Sequence, residues 1–283
     1  MKSQIVCLFI VFSIFSHAKT LFVSDIDDTI KISHVLDKSE MVKNAIRVQN
    51  HFYGMAQVYR AYAEADPTVQ FAYLSAAPEK MMLDFHFEFL SINRFPKGRL
   101  ILRENLNDHE FKLTAIRELI ELHKPDKIIL VGDNGERDPF LYSQIQAENP
   151  GTPVSIYIHQ VYSHLNSEDT GVPPQVNQQI FVTGIDLAKL FMQQGFVSTS
   201  IFENYVNKVG PYILAQSFGK KNGGTAFPAW IDCRDVLNVS KLGRNRWKLK
   251  IPRTKLARLN TNEILSLYDE KLKARCQNGP YED

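Results

Sequence analysis

The 283-residue sequence has only three cysteines and two tryptophans, and no apolar run reaches the length of a membrane span. No cysteine or histidine cluster has the spacing of a zinc site, which excludes the common zinc-binding domains. The uncharged apolar run at residues 5–15 has eleven residues, fewer than the about 20 that a transmembrane helix needs. No internal repeat or low-complexity tract is present, which excludes a repeat architecture.

The first eighteen residues have the layout of a secretory signal peptide. Lys2 precedes the apolar run, and Ser16 and Ala18 occupy the small positions before a cleavage site. A buried first helix or strand is the alternative for this segment. We expect residues 1–18 to be a signal peptide and the mature protein to be secreted or periplasmic.

Two cysteines, Cys233 and Cys276, remain after such a cleavage. In an oxidising compartment an even pair of cysteines can form a disulfide. Two free thiols are the alternative, and the sequence does not decide between them.

Five short apolar runs recur between residues 20 and 159, each bounded by polar or helix-breaking residues. Such runs indicate buried strands. They are TLFVS (20–24), VQFAYLS (69–75), RLILR (99–103), KIILVG (127–132) and VSIYIH (154–159). The segments between them have helical spacing, which predicts an α/β fold with a parallel sheet and helices on both faces.

Further segments complete this domain. A sixth apolar run, QIFVTG (179–184), and the helical segment after it would end the domain near residue 197. The connection 31–68 has room for a helix and a small insertion. The segment TAIRELIELHK predicts a helix with four apolar side chains on one side: Ile116, Leu119, Ile120 and Leu122.

The chain becomes basic toward its C-terminus. Residues 199–283 contain 15 Lys and Arg residues against 8 Asp and Glu, whereas the whole chain has a net charge of only +2. Residues 241–258 hold eight basic residues and no acidic one. Such a stripe suits an anionic membrane or nucleic acid, and a solvated strand pair with lysines at its edge is the alternative. We therefore expect a signal peptide at 1–18, an α/β domain at 19–197 and a basic C-terminal extension at 198–283.

Chemically reactive side chains follow four of the predicted strands. Because ligands bind beyond the carboxyl ends of the strands in a parallel sheet, we expect these side chains to converge. Crowded carboxylates raise each other's pKa unless a cation lies among them. The set consists of Asp25 and Asp27 after the first strand, Ser75 after the second, Lys112 at the helix after the third, and Asp133 and Asp138 after the fourth.

The motifs DIDDT, LS, K and GDNGERD, in this order, resemble those of the haloacid dehalogenase superfamily of phosphotransferases over residues 20–197. The segments FYGMAQVYRAY, FAYLSAAP, FPKGRLILRE and KIILVGDNGERDPFLY are similar to the catalytic domain of the actin-patch-type phosphatidate phosphatases. The resemblance implies a Rossmann-like haloacid-dehalogenase fold with a small cap insertion, and hydrolysis of phosphatidate to diacylglycerol and phosphate with Mg²⁺. The chain departs from that family in its N-terminal signal, in its basic extension, and at Ser75-Ala76-Ala77-Pro78, where members often have Ser-x-Ser-Pro.

The residue chemistry agrees with this resemblance. Asp25 is the expected nucleophile, because a carboxylate that attacks phosphorus splits hydrolysis into two easier displacements. Asp27 is the expected general acid for the leaving alkoxide and then the general base for the attacking water. Residues i and i+2 of an extended strand share a face, which suits this pair. Ser75 and Lys112 are expected to hold the phosphoryl oxygens as charge shifts in the transition state.

Mg²⁺ is the expected cofactor, because it prefers oxygen ligands. We expect Asp25, the backbone carbonyl of Asp27 and Asp133 to hold it, and Asp138 to bind a metal water or orient Lys112. A divalent cation would let the crowded carboxylates stay ionised and would shield the phosphate from the attacking anion.

The leading hypothesis is therefore a secreted or periplasmic Mg²⁺-dependent phosphatidate phosphatase whose residues 241–258 contact an anionic membrane. One alternative keeps the chemistry on another ester, such as a nucleotide, a polynucleotide end or a phosphoprotein. A second is a non-catalytic protein that binds anionic lipid or nucleic acid, against which the Asp25 and Asp27 pair argues. Nucleic acid is the less favoured partner, and the sequence does not indicate an oligomeric state.

Overall fold

A computed structural model describes residues 19–165, 170–218, 223–237 and 252–280. Its strands are β1 (Thr20–Asp25), β2 (Gln70–Pro78), β3 (Gly98–Arg103), β4 (Lys127–Asp133), β5 (Val154–His159) and β6 (Gln179–Phe181). They form one sheet in the order β3-β2-β1-β4-β5-β6, in which every neighbouring pair is parallel. All six strands lie at the apolar runs that predicted them, so the parallel α/β sheet is confirmed.

The described residues also form eight α-helices and two 3₁₀ turns, at Arg234–Leu237 and Arg253–Arg258. The helices are α1 (Lys38–Ala45), α2 (Met55–Ala65), α3 (Glu79–Ile92), α4 (Phe111–His123), α5 (Asp138–Glu148), α6 (Gly184–Gln193), α7 (Thr199–Ala215) and α8 (Thr261–Asn278). The connection between β1 and α2 contains α1, which accounts for its length.

Helices cover both faces of the sheet, as predicted. Successive side chains of a strand point to opposite faces. Phe22 of β1 packs into a large core with α2, α3, α6, α7 and α8, whereas Leu21 and Val23 pack into a smaller core with α4 and α5. One predicted core position is wrong. Leu122 is 63% exposed, because it falls to one side of the buried stripe of α4.

The strand order places a crevice above the middle of the sheet. After β1, the chain adds β2 and then β3 on one side of it. It then crosses over to form β4 on the other side of β1, followed by β5 and β6. In such doubly wound sheets, ligands bind at the carboxyl ends of the strands where the order reverses. Here that point lies between Asp25, which ends β1, and Asp133, which ends β4.

The described part of the C-terminal extension packs against the sheet. Val206 of α7 and Ile264 and Tyr268 of α8 belong to the same hydrophobic core as Phe22. The hydroxyl of Tyr268 donates a hydrogen bond to Asp186 of α6, at 2.7 Å. The extension thus shares a core with the α/β domain, and the boundary at residue 197 stays a prediction.

Several sequence predictions fall partly on residues that the structure does not describe. The proposed signal peptide, residues 1–18, lies outside the described residues, as do residues 241–251 of the basic stripe predicted at 241–258. Arg253 and Lys255 of that stripe are described and exposed. Within the described ranges, no helix is both long enough and apolar enough to cross a membrane.

A disulfide joins Cys233 to Cys276 of α8, which answers the question that the sequence left open. We predict that the Cys233→Ala/Cys276→Ala variant loses about 4 kcal/mol of unfolding free energy, because the bond closes a 43-residue separation in the unfolded chain. Urea denaturation followed by circular dichroism measures this loss. Equal denaturation midpoints for the variant and the oxidised wild type would contradict it.

Candidate active site at the carboxyl ends of β1 and β4

Four of the predicted site residues come together at the crevice. Asp25 and Asp133 end the neighbouring strands β1 and β4, Asp138 begins α5, and Lys112 is the second residue of α4. One carboxylate oxygen from each of Asp25, Asp133 and Asp138 lies within 4.8 Å of the others. All four side chains are buried. The convergence that the parallel sheet predicted is therefore present in the structure.

Lys112 is the cation of this cluster. Its Nζ lies 2.8 Å from Asp25 Oδ1, 2.6 Å from Asp138 Oδ1 and 3.3 Å from Glu136 Oε2. Burial alone would lower the pKa of Lys112, but the carboxylates of Asp138, Asp25 and Glu136 raise it well above its usual value. Lys112 is therefore protonated at any physiological pH.

The three carboxylates are short of positive charge. Burial raises the pKa of Asp25 and of Asp133 well above the usual value, and Asp138 adds to the rise in both through like-charge repulsion. One ammonium group does not offset three buried carboxylates. The cluster therefore favours binding of a further cation.

The donor set could hold a hard divalent cation. The ligands are carboxylate oxygens, which a hard divalent cation prefers. Asp138 Oδ2 is buried and has no hydrogen-bond partner among the described residues, so it has a free acceptor for a metal-bound water. Gly132 makes room for this oxygen, since a Cβ atom there would lie 2.5 Å from it.

Thr29, the last residue of the DIDDT motif, holds the nucleophile candidate in place. Its Oγ1 donates a hydrogen bond to Asp25 Oδ2 at 3.0 Å and lies 3.5 Å from Asp133 Oδ2. The spacing of the motif carries Thr29 back over the end of β1. This contact gives a physical reason for the threonine, to which we assigned no role from the sequence.

The turn after β1 is fixed by Asp28. Its backbone has φ 57°, in the left-handed region. Its buried carboxylate accepts hydrogen bonds from the backbone N–H groups of Ser33, His34 and Val35, at 2.9, 2.7 and 2.7 Å, and from the hydroxyl of Tyr162 at 2.6 Å. Asp28 thus anchors the turn, and sequence reasoning gave no sign of Tyr162 as its partner.

Asp27 and Ser75 form a second polar group, on the α3 side of the site. Ser75 Oγ donates to Asp27 Oδ2 at 2.7 Å, and Ser33 Oγ donates to Asp27 Oδ1 at 2.6 Å. Burial would raise the pKa of Asp27, but His86, Lys31 and these two hydroxyls lower it to about 2. The structure thus pairs Asp27 with Ser75, and its side chain does not join the three-carboxylate cluster.

His86 of α3 is the partner that sequence reasoning missed on this side. It is fully buried, with Nε2 3.1 Å from Ser75 Oγ and 3.6 Å from Asp27 Oδ2. No motif in the sequence indicates it, because its position follows from how α3 packs back over β2. Glu136 was also missed, although it lies within the GDNGERD motif.

No curated protein matches the chain. Among solved structures, S. aureus MnaA with UDP is similar at 18% identity and a TM-score of 0.34, covering 63% of this chain and 42% of that one. UDP-GlcNAc 2-epimerase from Neisseria meningitidis bound to UDP-GlcNAc is similar at 14% identity and a TM-score of 0.33, covering 71% and 56%. The chain spans about half the length of these structures, and at such TM-scores neither bears on its function.

Residues 20–160 match the family model of "Phosphatidate phosphatase APP1, catalytic domain". The matched segment includes β1 to β5 and all six predicted site residues. This match confirms the resemblance inferred from the motifs. Residues 20–160 of this chain are therefore similar to the phosphatidate phosphatase APP1 catalytic domain.

Proposed function

We propose that the chain is a Mg²⁺-dependent phosphomonoester hydrolase that converts phosphatidate to diacylglycerol and phosphate through an aspartyl-phosphate intermediate. One observation carries the proposal. Inside the segment that matches the phosphatidate phosphatase family, Lys112 Nζ bridges Asp25 and Asp138 beside Asp133. A buried ammonium group among carboxylates at strand ends suits phosphoryl transfer, which depends on positioning and charge stabilisation.

We further assign the sheet to the haloacid-dehalogenase fold and the connection between β1 and α2 to a small cap. The order β3-β2-β1-β4-β5 with Asp25 at the end of the central strand supports the first assignment. The connection contains one helix, α1, of eight residues, which supports the second. A small cap leaves the carboxyl edge open, which suits a phosphate group on a lipid.

In the first step, Asp25 attacks phosphorus, and the bond between phosphorus and the ester oxygen breaks as the aspartyl-phosphate bond forms. The leaving oxygen takes a proton from Asp27 and departs as the hydroxyl of diacylglycerol. Lys112 and Ser75 donate hydrogen bonds to phosphoryl oxygens. Thr29 keeps Asp25 in its orientation through the contact with Oδ2.

Asp27 becomes an acid only when substrate arrives. With a pKa of about 2 it is a carboxylate in the free protein. Ser75 has a single hydroxyl proton, which it donates to Asp27. When Ser75 donates that proton to a phosphoryl oxygen, Asp27 loses a stabilising hydrogen bond and faces an anion, so its pKa rises and it takes up a proton from solvent.

In the second step, Asp27 acts as the base. Its carboxylate removes a proton from a water molecule, whose oxygen attacks the phosphorus of the aspartyl phosphate. The bond to Asp25 breaks and inorganic phosphate leaves. Asp27 then releases its proton to solvent, and both carboxylates are back in their starting state.

Asp25, the backbone carbonyl of Asp27 and Asp133 are the groups proposed to hold Mg²⁺. When bound, the ion supplies positive charge that offsets the carboxylates and shields the phosphate. Asp138 Oδ1 accepts a hydrogen bond from Lys112 Nζ at 2.6 Å, and its Oδ2 has no partner among the described residues and can accept one from a metal-bound water. Both roles expected for Asp138 are thus compatible with its geometry.

Phosphate release from phosphatidate in mixed micelles with Mg²⁺, measured beside a soluble aryl phosphate, tests the proposal. We predict that Asp25→Asn abolishes turnover of both substrates and that Asp27→Asn lowers kcat by about 10²- to 10⁴-fold. Asp84→Asn changes an exposed carboxylate of α3 and serves as the control. If the wild type hydrolyses only the soluble ester, phosphatidate is not its substrate. If turnover survives in Asp25→Asn, Asp25 is not the nucleophile.

We predict that Mg²⁺ raises the melting temperature of the wild type. At about 100 times its dissociation constant, a ligand adds about 2.7 kcal/mol of stability, which corresponds to several degrees. Asp133→Asn should abolish this rise. It should also raise the melting temperature of the metal-free protein, because the raised pKa of Asp133 means that its ionised form destabilises the fold at neutral pH. Differential scanning fluorimetry with Mg²⁺ and with EDTA measures both effects, and an equal Mg²⁺ response in the variant would contradict the assignment.

The signal peptide and secretion remain part of the proposal, as does membrane contact through residues 241–258. We predict that the mature protein begins at Lys19. Expression of the full chain in a secreting host, followed by N-terminal sequencing of the exported protein, measures the cleavage site. Recovery of the chain only inside the cell with Met1 intact would contradict secretion.

A further inference from the structure

A cleft of about 290 Å³ adjoins the three-carboxylate cluster on the side of α4 and α5. Lys112 and Asp138 form the wall that it shares with the cluster. Ala76 and Arg103, at the ends of β2 and β3, also line it. A phosphate group held at Lys112 would therefore face this cleft.

Arg103 is placed to reach such a group. Asp25 pairs in register with Leu74, and Leu74 pairs with Ile101, so Arg103 stands two residues beyond the level of Asp25. Ile101 packs toward the small core under α4 and α5, and alternation puts Arg103 on that same face. Since β3 is two strands from β1, about 10 Å separates the strand axes, which a long side chain and a phosphate group together can span.

The guanidinium of Arg103 has no acceptor in the part of the chain that the structure describes. Among the described residues it makes no hydrogen bond and no ion pair, and its Nε is shielded from water without a partner. A buried donor without an acceptor is unfavourable. The side chain is thus available to an anionic ligand that enters the cleft.

The net negative charge of the cluster favours a further cation on the cleft side. Three carboxylates and the ammonium of Lys112 leave the cluster two charges negative, which one divalent cation would balance. A phosphomonoester dianion would then bring uncompensated negative charge into a buried site. A further cation on the cleft side would offset it.

Other nearby cations are already engaged. Arg137 lines the same cleft, but it is exposed and its Nη1 donates to Glu110 at 3.2 Å. Lys31 is buried, and its Nζ donates to the carbonyl oxygen of Ala45 at 2.7 Å. Arg103 is the arginine of the described cleft that has no carboxylate partner.

We propose that Arg103 binds the phosphate group of the substrate and selects phosphomonoester dianions. The inference rests on the proposed phosphatase function, whose site it extends. A guanidinium fork donates to two oxygens of one phosphate. A monoester has three non-bridging oxygens, so two can engage Arg103 while one faces Lys112 and Ser75. A diester has only two, so it cannot satisfy both sides.

Binding of inorganic phosphate in the presence of Mg²⁺, measured by isothermal titration calorimetry, reads this contact without turnover. We predict that Arg103→Gln weakens phosphate affinity by about 10- to 100-fold, as expected for loss of a charge-assisted pair of hydrogen bonds. Arg103→Lys keeps the charge and loses the two-pronged hydrogen bonding of the guanidinium. Its phosphate affinity should lie between those of the wild type and Arg103→Gln. Arg137→Gln, from the same cleft, should bind phosphate within about twofold of the wild type, because Arg137 is exposed and its Nη1 already donates to Glu110.

Steady-state kinetics give the second readout. Because Arg103 holds the phosphate in the ground state and in the transition state, Arg103→Gln should raise KM by a similar factor for phosphatidate and for the aryl phosphate, with a smaller change in kcat. Circular dichroism and melting temperature establish that each variant is folded. If Arg103→Gln does not fold, the phosphate affinity and KM of Arg103→Lys test the proposal instead.

The possible results separate the two proposals. Phosphate affinity that is unchanged in Arg103→Gln, or absent in the wild type, would overturn the role of Arg103. A KM raised only for phosphatidate would also overturn it, since Arg103 would then contact the glycerol part. If the wild type hydrolyses no ester but its phosphate affinity depends on Arg103, the role of Arg103 stands and the phosphatase proposal fails.

Discussion

The contact on which the site depends is the buried ammonium group of Lys112 between Asp25 and Asp138. Buried carboxylates repel one another and are costly to ionise, and removing the one cation would leave uncompensated buried charge. Because Lys112 is the second residue of α4, this contact also fixes where α4 begins relative to the ends of β1 and β4. Local sheet geometry and electrostatics are therefore coupled at a single side chain.

The site has two halves that differ in charge. On the α4 and α5 side, carboxylates with raised pKa values surround Lys112 and favour a divalent cation. On the α3 side, the carboxylate of Asp27 is already satisfied by Ser33 and Ser75, with His86 close by, and its pKa is low. The proposed mechanism follows from this division. One half of the site binds the metal and supplies the nucleophile, and the other half transfers protons.

The sequence predicted those parts that follow from strand ends. Asp25 and Asp133 could be placed because apolar runs define β1 and β4, and carboxyl ends of parallel strands meet at one edge. Leu122 was misplaced, because helical spacing alone does not determine how far a buried stripe extends. His86 and Tyr162 could not be predicted, since their contacts with Ser75 and Asp28 depend on how distant segments pack. The orientation of Asp27 toward Ser75 likewise depends on three-dimensional packing.

The shared core of the matched segment and the C-terminal extension has a consequence for the order in which the protein can be made. Ile264 and Tyr268 of α8 lie in the same core as Phe22 of β1, and the disulfide at Cys276 ties α8 back to Cys233. During synthesis the first strand emerges long before the helix that completes its packing. The segment that carries the candidate site residues therefore stays incompletely packed until α8 has been translated. During that period a chaperone would have an exposed apolar face to bind.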